Sequence, residues 1–191
     1  WAIARMAEAL GNKEVADEYY RRALNYMNVF DGNTCFFRGR NLDGSWVTPF
    51  ETYATGRDYT EATPWHYRFF VPHDVNGLVQ NYPSKEEFIK ALDDLFTLEA
   101  EMSIEVSDVT GLKGQYAHGN EPSHHTLYIY NYLGQPDKAS RRIHEVFQTM
   151  YTDQPDGVCG NEDVGQMSAW YVMAAMGLYQ VEPCGGIYQL S

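Results

Sequence analysis

Two short turns carry the residues best suited to acid–base chemistry. Gly119-Asn120-Glu121-Pro122 precedes one predicted helix, and Gly160-Asn161-Glu162-Asp163 precedes another. Positions 121 and 162 are separated by one helix, one antiparallel helix and their connections. Both turns should therefore lie at the same end of a helical bundle, where free amides and helix dipoles favour carboxylates. The alternative is that each glutamate only caps its own helix.

The first turn contains a candidate general acid, Glu121. A carboxyl group that is half-buried among aromatic rings keeps its proton near neutral pH. His118, His124 and His125 surround it and could suggest zinc, but adjacent histidines on a helix point about 100° apart and rarely bind one ion. We expect one of these histidines to orient Glu121 or a ligand hydroxyl, and another to lie in the core.

The second turn is rich in oxygen donors. Asn161, Glu162, Asp163 and Gln166 offer two amides and two carboxylates within six residues. Such donors suit a hard cation such as calcium, although the spacing is not that of an EF-hand. The alternative is an ordinary helix start, with Asp163 as the N-cap and Gln166 as its capping-box partner.

A third candidate region lies in a long segment with little periodicity. It mixes aromatic rings with imidazoles and carboxylates, and a buried strand would not place such polar groups among rings without partners. Flat rings can cover the apolar face of a sugar while polar groups bond its hydroxyls. A buried structural network is the alternative. The candidate ligand-binding residues here are Glu61, Trp65, His66, His73 and Asp74.

Composition narrows the choice of partners. The formal net charge is −12, which argues against nucleic acid and against an anionic membrane surface. No apolar run is long enough to span a membrane. The three cysteines form no CxxC pair and do not settle the redox compartment. The 15 tyrosines, nine phenylalanines and four tryptophans suit a protein that handles sugars, or else a tyrosine-rich core.

Helices joined by long loops are the predicted regular elements. A helix pair is expected over residues 1–30, and Ser84 with Glu87 forms a capping box for a helix running to about Met102. Two helices, over 123–133 and 166–176, are apolar nearly all round and should be buried on most sides. Between them, an amphipathic helix from Pro136 to about 151 should face solvent.

The order along the chain would then be an inner helix over 123–133, an outer helix from Pro136 and a second inner helix over 166–176. Repeated around an axis, the pattern gives a mainly α fold that is part of an (α/α)6 toroid, with long loops carrying the site. A helical-repeat solenoid is the competing interpretation, because residues 1–30 alone would fit one, but no repeat near 34 residues is sustained.

The ordered motifs resemble those of the calcium-dependent exo-acting α-mannosidases of glycoside hydrolase family 92. The similarity extends through most of the chain, and three motifs in order make it specific. They are Tyr59-Thr60-Glu61 with Trp65-His66-Tyr67 and Val71-Pro72-His73-Asp74; Gly119-Asn120-Glu121-Pro122-Ser123-His124-His125; and Gly160-Asn161-Glu162-Asp163 with Gly165-Gln166-Met167-Ser168-Ala169-Trp170-Tyr171.

The resemblance implies a fold and a function. Such enzymes combine an N-terminal β-sandwich with a helical toroid, and they remove terminal α-linked mannose with inversion, here expected to be α-1,2-linked. Glu121 matches the general acid, and Asn161, Glu162 and Gln166 match the region that supplies calcium ligands. The residues implied to bind the mannose-containing oligosaccharide are Glu61, Trp65, His66, His73, Asp74, Asn120 and His125.

The resemblance also sets expectations for the extent of the chain, for the catalytic base and for one altered motif. Residues 1–191 are expected to be a fragment of a single toroid domain, without the β-sandwich and the C-terminal end, because the chain opens at Trp1 inside a helix. The family's catalytic base is then expected beyond Ser191, with Asp163 and Asp74 as weaker candidates. Glu61-Ala62-Thr63-Pro64-Trp65-His66 replaces a common Glu-Gly-Asn-Ala-Trp-Gln, which bears on linkage preference. An extracytoplasmic location is expected from the resemblance alone.

Overall fold

The computed structural model describes residues 1–99 and 109–191. Its first helices form the expected pair, α1 over Ala2–Ala9 and α2 over Lys13–Ala23. Gly11 takes a left-handed conformation between them, and Asn12 then caps α2 by accepting the amide of Val15. A 3₁₀ helix, Leu24–Asn28, leads into a short antiparallel hairpin of β1, Phe30–Asp31, and β2, Phe36–Phe37, in which Phe30 pairs with Phe37.

The long aperiodic segment contains two short helices, α3 over Pro64–Tyr67 and α4 over Val75–Gln80. Helix α5 follows over Lys85–Leu95, and Ser84 caps it by accepting the amide of Glu87, as the capping-box pattern predicts. The prediction that this helix runs to about Met102 is wrong in its extent, because the helix ends at Leu95 and residues 96–99 are not helical; residues 100–102 lie outside the described part of the chain. A second hairpin then joins β3, Leu112–Lys113, to β4, Tyr116–Ala117.

The first predicted inner helix is the least regular. In place of one helix over 123–133, the chain forms two 3₁₀ turns, Glu121–Ser123 and Thr126–Tyr128, and a short α6, Ile129–Tyr132. Helix α7 spans Pro136–Met150 with Pro136 in its first turn, and α8 spans Gln166–Ala175. The last hairpin pairs β5, Leu178–Tyr179, with β6, Gln189–Leu190. The fold is mainly α, as predicted.

The core is strongly aromatic, and many of the tyrosines lie in it. Its largest fully buried side chains are Trp170, Tyr116, Tyr128, Tyr130, Phe69, Phe88 and Phe96. The prediction that α8 is buried on most sides is wrong for the described residues. Met167, Trp170 and Ala174 are buried, whereas Val172 is 54% exposed and Met176 is 58% exposed. Thus the tyrosine-rich core accounts for part of the aromatic content, and only one face of α8 is covered.

Candidate active site

The two Gly-Asn-Glu turns are packed against each other, backbone to backbone. A Cβ atom at Gly160 would lie 2.6 Å from the carbonyl oxygen of Gly119 and 2.7 Å from its Cα. Real Cβ atoms do not approach backbone so closely, so position 160 requires glycine. The contact brings the residues that follow each glycine to one side of the bundle.

Glu121 lies at the start of the first 3₁₀ turn and is half-buried. Its backbone N–H donates to Oδ1 of Asn120 at 3.2 Å. Burial raises the pKa of Glu121, and a hydrogen bond with Asp163 together with the charges of Asp163 and Glu61 raises it further, against a lowering backbone hydrogen bond. A hydrogen bond between two carboxyl groups requires a proton on one of them. Glu121 is therefore suited to hold and donate a proton.

Glu61 joins this arrangement from the long aperiodic segment. Asn120 Nδ2 donates to the backbone oxygen and to Oε2 of Glu61, both at 3.4 Å. The backbone of Glu61 has φ of 53°, in the left-handed region that non-glycine residues rarely adopt. We call Glu61, Asn120, Glu121 and Asp163 the acid cluster. Three segments that are distant in sequence thus bring three carboxyl groups into one cluster.

The second turn has an unusual backbone. Asp163, Val164 and Gly165 have φ values of 48°, 59° and 89°, and Gly165 is the N-cap of α8. Left-handed conformations at non-glycine residues cost of order 1–3 kcal/mol each and concentrate at functional sites. The alternative prediction that Asp163 is the N-cap is wrong, since these three residues turn the chain before the helix begins. Asp163 is directed to Glu121 instead.

Glu162 has a capping role. Its two carboxylate oxygens accept the amide of Ser168 at 3.0 Å and the hydroxyl of Ser168 at 2.9 Å. This fits the alternative in which the glutamate stabilises its own helix. Glu121 therefore meets Asp163, rather than Glu162, across the two turns. Each oxygen of Glu162 keeps a further lone pair for another ligand.

The oxygen donors of the second turn fit a hard cation by their chemistry. Asn161, Glu162 and Gln166 are exposed at the head of α8, and they offer carboxylate and amide oxygens, which calcium accepts. Gln166 Nε2 lies 3.5 Å from Nδ1 of His124, so its amide nitrogen faces the core. Within 1–99 and 109–191, no group of three His, Cys, Asp or Glu residues could hold a metal ion. A site here would use amide or backbone oxygens as well.

Trp65 and His66 lie in the core. The indole of Trp65 packs edge-on against Phe36 at 5.1 Å and contacts the guanidinium of Arg68 at 4.7 Å. Nδ1 of His66 accepts the amide of Thr63 at 3.1 Å, and burial lowers the pKa of His66 to about 4. These contacts are those of the buried structural network that was the alternative to a sugar-binding wall.

His73, Asp74 and His125 also bond within the fold. Nε2 of His73 donates to the backbone oxygen of Ala23 at 2.9 Å. Asp74 caps α4 and accepts the hydroxyl of Tyr26 at 2.9 Å. Nε2 of His125 donates to the backbone oxygen of Phe69 at 2.8 Å, and burial lowers the pKa of His125 to about 4. The hydrogen bonds of all three are thus made to other parts of the fold.

The structure also shows a network that the sequence analysis did not identify. His118 bonds the hydroxyl of Tyr116 through Nδ1 and that of Tyr151 through Nε2, each at 2.7 Å. Burial lowers the pKa of His118 to about 3 and that of His124 to about 4, so both rings are neutral near pH 7. Tyr151 directly follows α7, far along the chain, and nothing in its spacing points to His118.

The carboxyl groups of Glu121 and Asp163, whose contact raises the pKa of Glu121, form an arrangement that is suited to acid–base chemistry. The glycosyl hydrolase family 92 catalytic domain matches residues 1–191, and the chain belongs to this family. It is 39% identical to a family GH92 α-mannosidase of Bacteroides thetaiotaomicron solved in complex with mannoimidazole, with a TM-score of 0.92 over 98% of this chain and 26% of that one.

Two further relatives agree with this assignment. A family GH92 inverting mannosidase of Bacteroides thetaiotaomicron is 36% identical, with a TM-score of 0.86 over 100% of this chain and 27% of its own. An uncharacterized secreted glycosidase of Arthroderma benhamiae is 27% identical over 94% of this chain and 24% of its own length. The chain thus spans about a quarter of the length of the relatives it matches.

Proposed function

We propose that the whole protein to which this chain belongs removes terminal α-linked mannose, with α-1,2 linkages as the preferred substrate, by an exo-acting and inverting mechanism. The observation that carries the proposal is the contact between Glu121 and Asp163, which raises the pKa of Glu121. It is supported by the 39% identity to an α-mannosidase solved with mannoimidazole. The partner is then a mannose-containing oligosaccharide.

In this mechanism Glu121 is the general acid. It gives its proton to the glycosidic oxygen as the bond to the anomeric carbon breaks, so that the leaving sugar departs as a neutral alcohol. The negative charges of Asp163 and Glu61 keep the proton on Glu121 until that step. Asn120 holds the start of the turn and Glu61 in place, and offers polar groups to sugar hydroxyls.

Inversion also needs a base that activates water on the opposite face of the sugar. The two carboxyl groups of an inverting pair stand about 6.5–9.5 Å apart, because a water molecule lies between base and sugar. Asp163 is hydrogen-bonded to Glu121 and is therefore too close, and Asp74 is occupied as a helix cap. We assign the base, as part of this proposal, to a segment of the whole protein beyond Ser191.

We propose calcium as the cofactor, held by Asn161, Glu162 and Gln166. Bound calcium would supply electrostatic stabilisation and orientation of sugar hydroxyls. The chain's own contribution is an exposed set of oxygen donors beside the acid cluster. Glu61 and Asn120 would contact the sugar directly, whereas Trp65, His66, His73, Asp74 and His125 would shape the pocket wall from behind through the contacts described above.

An extracytoplasmic location belongs to the same proposal. It is supported by the resemblance to a family of largely exported enzymes and by the word secreted in the name of the Arthroderma relative. Among the described residues, no helix has the length and apolarity that crossing a bilayer requires.

The test is hydrolysis of an α-1,2-mannobioside by the whole protein, with the anomeric configuration of the released mannose followed by NMR. Glu121→Gln should lower kcat about 10²–10⁴-fold. The loss should be smaller on an aryl mannoside whose leaving group departs without a proton. Glu14→Gln, on the surface of α2, is the matched control. Near-normal turnover of the mannobioside by Glu121→Gln would remove Glu121 as the acid.

Calcium is tested in the same assay. A chelator should abolish most of the activity, and added calcium should restore it. Full activity in chelator would contradict the calcium role while leaving the assignment of Glu121 untouched. Mannose binding without turnover in the wild-type protein would instead indicate a carbohydrate-binding domain that has lost catalysis.

A further inference from the structure

The hydrogen bonds of His124 fix which of its ring nitrogens carries the proton. The side chain is 1% exposed, and its Nε2 lies 2.9 Å from the backbone oxygen of His118. A carbonyl oxygen can only accept, so Nε2 must carry hydrogen. In the neutral ring, Nδ1 then has a lone pair and no hydrogen. His124 therefore presents an acceptor, and only an acceptor, on its Nδ1 side.

This acceptor determines the orientation of the Gln166 amide. The side-chain nitrogen of Gln166 lies 3.5 Å from Nδ1 of His124. If the amide turned over, its oxygen would face the lone pair of Nδ1, and two acceptors would repel each other. The planar amide thus keeps its NH₂ group towards His124 and carries Oε1 on the branch away from it.

His124 is itself held by the buried network beneath it. Tyr151 donates its hydroxyl hydrogen to the backbone oxygen of Met167 at 3.2 Å, so it must accept from Nε2 of His118. The indole N–H of Trp170 donates to the backbone oxygen of His124 at 3.2 Å. The ring of His118 packs on that indole with centroids 4.4 Å apart. The imidazole of His124 packs against the rings of His118 and Trp170, with centroids 4.9 Å and 5.9 Å away, and these contacts together with the Nε2 hydrogen bond hold its orientation.

We propose that His124 is a positioning residue, which holds the Gln166 amide so that Oε1, and not the NH₂ group, faces a bound calcium ion. The inference rests on the proposed calcium role of the second turn. An amide nitrogen has no lone pair to offer a cation. If the side-chain amide of Gln166 could turn over freely, it would present its oxygen to calcium only part of the time. Outer-shell partners of this kind typically contribute 10–100-fold to metal affinity.

The experiment measures calcium affinity directly, by isothermal titration of the metal-free whole protein with calcium chloride. His124→Phe keeps a ring of similar shape and removes the Nδ1 acceptor, and it should weaken calcium binding 10–100-fold. His124→Asn places a carboxamide oxygen near the position of Nδ1 and should restore most of the affinity. Thermal unfolding of each variant in chelator reports any loss of folding that is independent of calcium.

A double-mutant cycle separates positioning from general damage. In a Gln166→Ala background, His124→Phe should cause no further loss of calcium affinity, because the residue through which it acts is gone. An unchanged affinity in the single His124→Phe variant, or an additive loss in the double variant, would overturn the proposal. No calcium binding by the wild-type protein would instead refute the proposed calcium role itself, so the two failures are distinguishable.

Discussion

At the scale of single residues, the acid cluster gains its chemistry from neighbours that raise one pKa. Glu121 is buried enough to disfavour its charged form, and Asp163 and Glu61 add negative charge beside it. Desolvation and like charges act in the same direction on a carboxyl group. The left-handed backbone at Glu61 and Asp163 places these charges there, which is why conformational strain and chemistry coincide.

Asp163→Asn tests this electrostatic role. A general acid works only while protonated, so kcat/KM falls as pH rises through the pKa of the free enzyme's acid. Removing the charge of Asp163 lowers the pKa of Glu121, and the alkaline limb of the profile should therefore move to lower pH. The measurement is kcat/KM of the whole protein on an α-mannobioside across pH, with Asp153→Asn in a nearby loop as the control.

The result also decides between two roles for Asp163. If Asp163 were the catalytic base, Asp163→Asn would lower kcat by orders of magnitude at every pH. The limb that reports deprotonation of the base would then disappear as well. A shifted alkaline limb with substantial remaining kcat agrees only with the electrostatic role.

At the scale of elements, the site depends on how closely two turns approach. Gly119 and Gly160 touch without side chains between them, and the heads of the first 3₁₀ turn and of α8 are thereby set side by side. The helix dipole of α8 favours carboxylates at its head, but it does not bring Glu121 and Asp163 together. The backbone contact does so, and the carboxyl pair follows from it.

Gly160→Ala should separate the turns. Its Cβ would overlap the backbone of Gly119, so one turn must move and the contact between Glu121 and Asp163 loosens. A displacement of about 1 Å can cost about 10²-fold in rate, and we expect a loss of that order in kcat. Gly32→Ala is the matched control, because a Cβ at Gly32 meets nothing within 4 Å. Equal activity of both variants would show that the turns can separate without consequence.

Helices with strong local signals were predictable from the sequence. The capping residue at Ser84, the proline in the first turn of α7 and the apolar periodicity of α1 and α2 each act within a few residues. The prediction of one regular helix over 123–133 was wrong, because the chain over Glu121–Tyr132 forms two 3₁₀ turns and a short α-helix around buried histidines. His125 donates to the backbone oxygen of Phe69, far along the chain, and His124 to that of His118, and neither contact leaves a periodic signal in the sequence.

For the candidate site too, local spacing was predictable from the sequence, whereas contacts between distant segments were not. Motif spacing predicted that the Glu121 and Glu162 turns would share one end, and the structure packs them together. Which carboxyl group would meet Glu121 could not be predicted, because it depends on the left-handed backbone at 163–165. Likewise, the sequence placed Trp65 in a sugar-binding wall, but its packing against Phe36 and Arg68 depends on contacts far along the chain.

At the scale of the whole molecule, the packing of aromatic side chains around neutral histidines links stability to pH. His66 and His125 have pKa values lowered to about 4, and His118 to about 3, in each case mainly because burial disfavours the charged ring. An unfolded histidine titrates near pH 6.5. Below that value the unfolded chain therefore binds more protons than the folded one, and stability falls as pH falls.

The predicted window runs from about pH 6.5 down to about pH 4, with His118 extending it towards pH 3. Each histidine contributes at most about 1.4 kcal/mol per pH unit to the decline in the free energy of unfolding. The lowered pKa of Asp31 adds a loss of stability only at pH values below the ordinary pKa of a carboxyl group. The raised pKa of Glu121 instead makes the folded state more stable as pH falls.

Urea unfolding followed by circular dichroism should show the midpoint falling steadily between pH 6.5 and pH 5, where the histidines dominate. A flat midpoint over that interval would contradict the prediction, because it would mean that these rings accept protons without leaving the core, although burial disfavours their charged form.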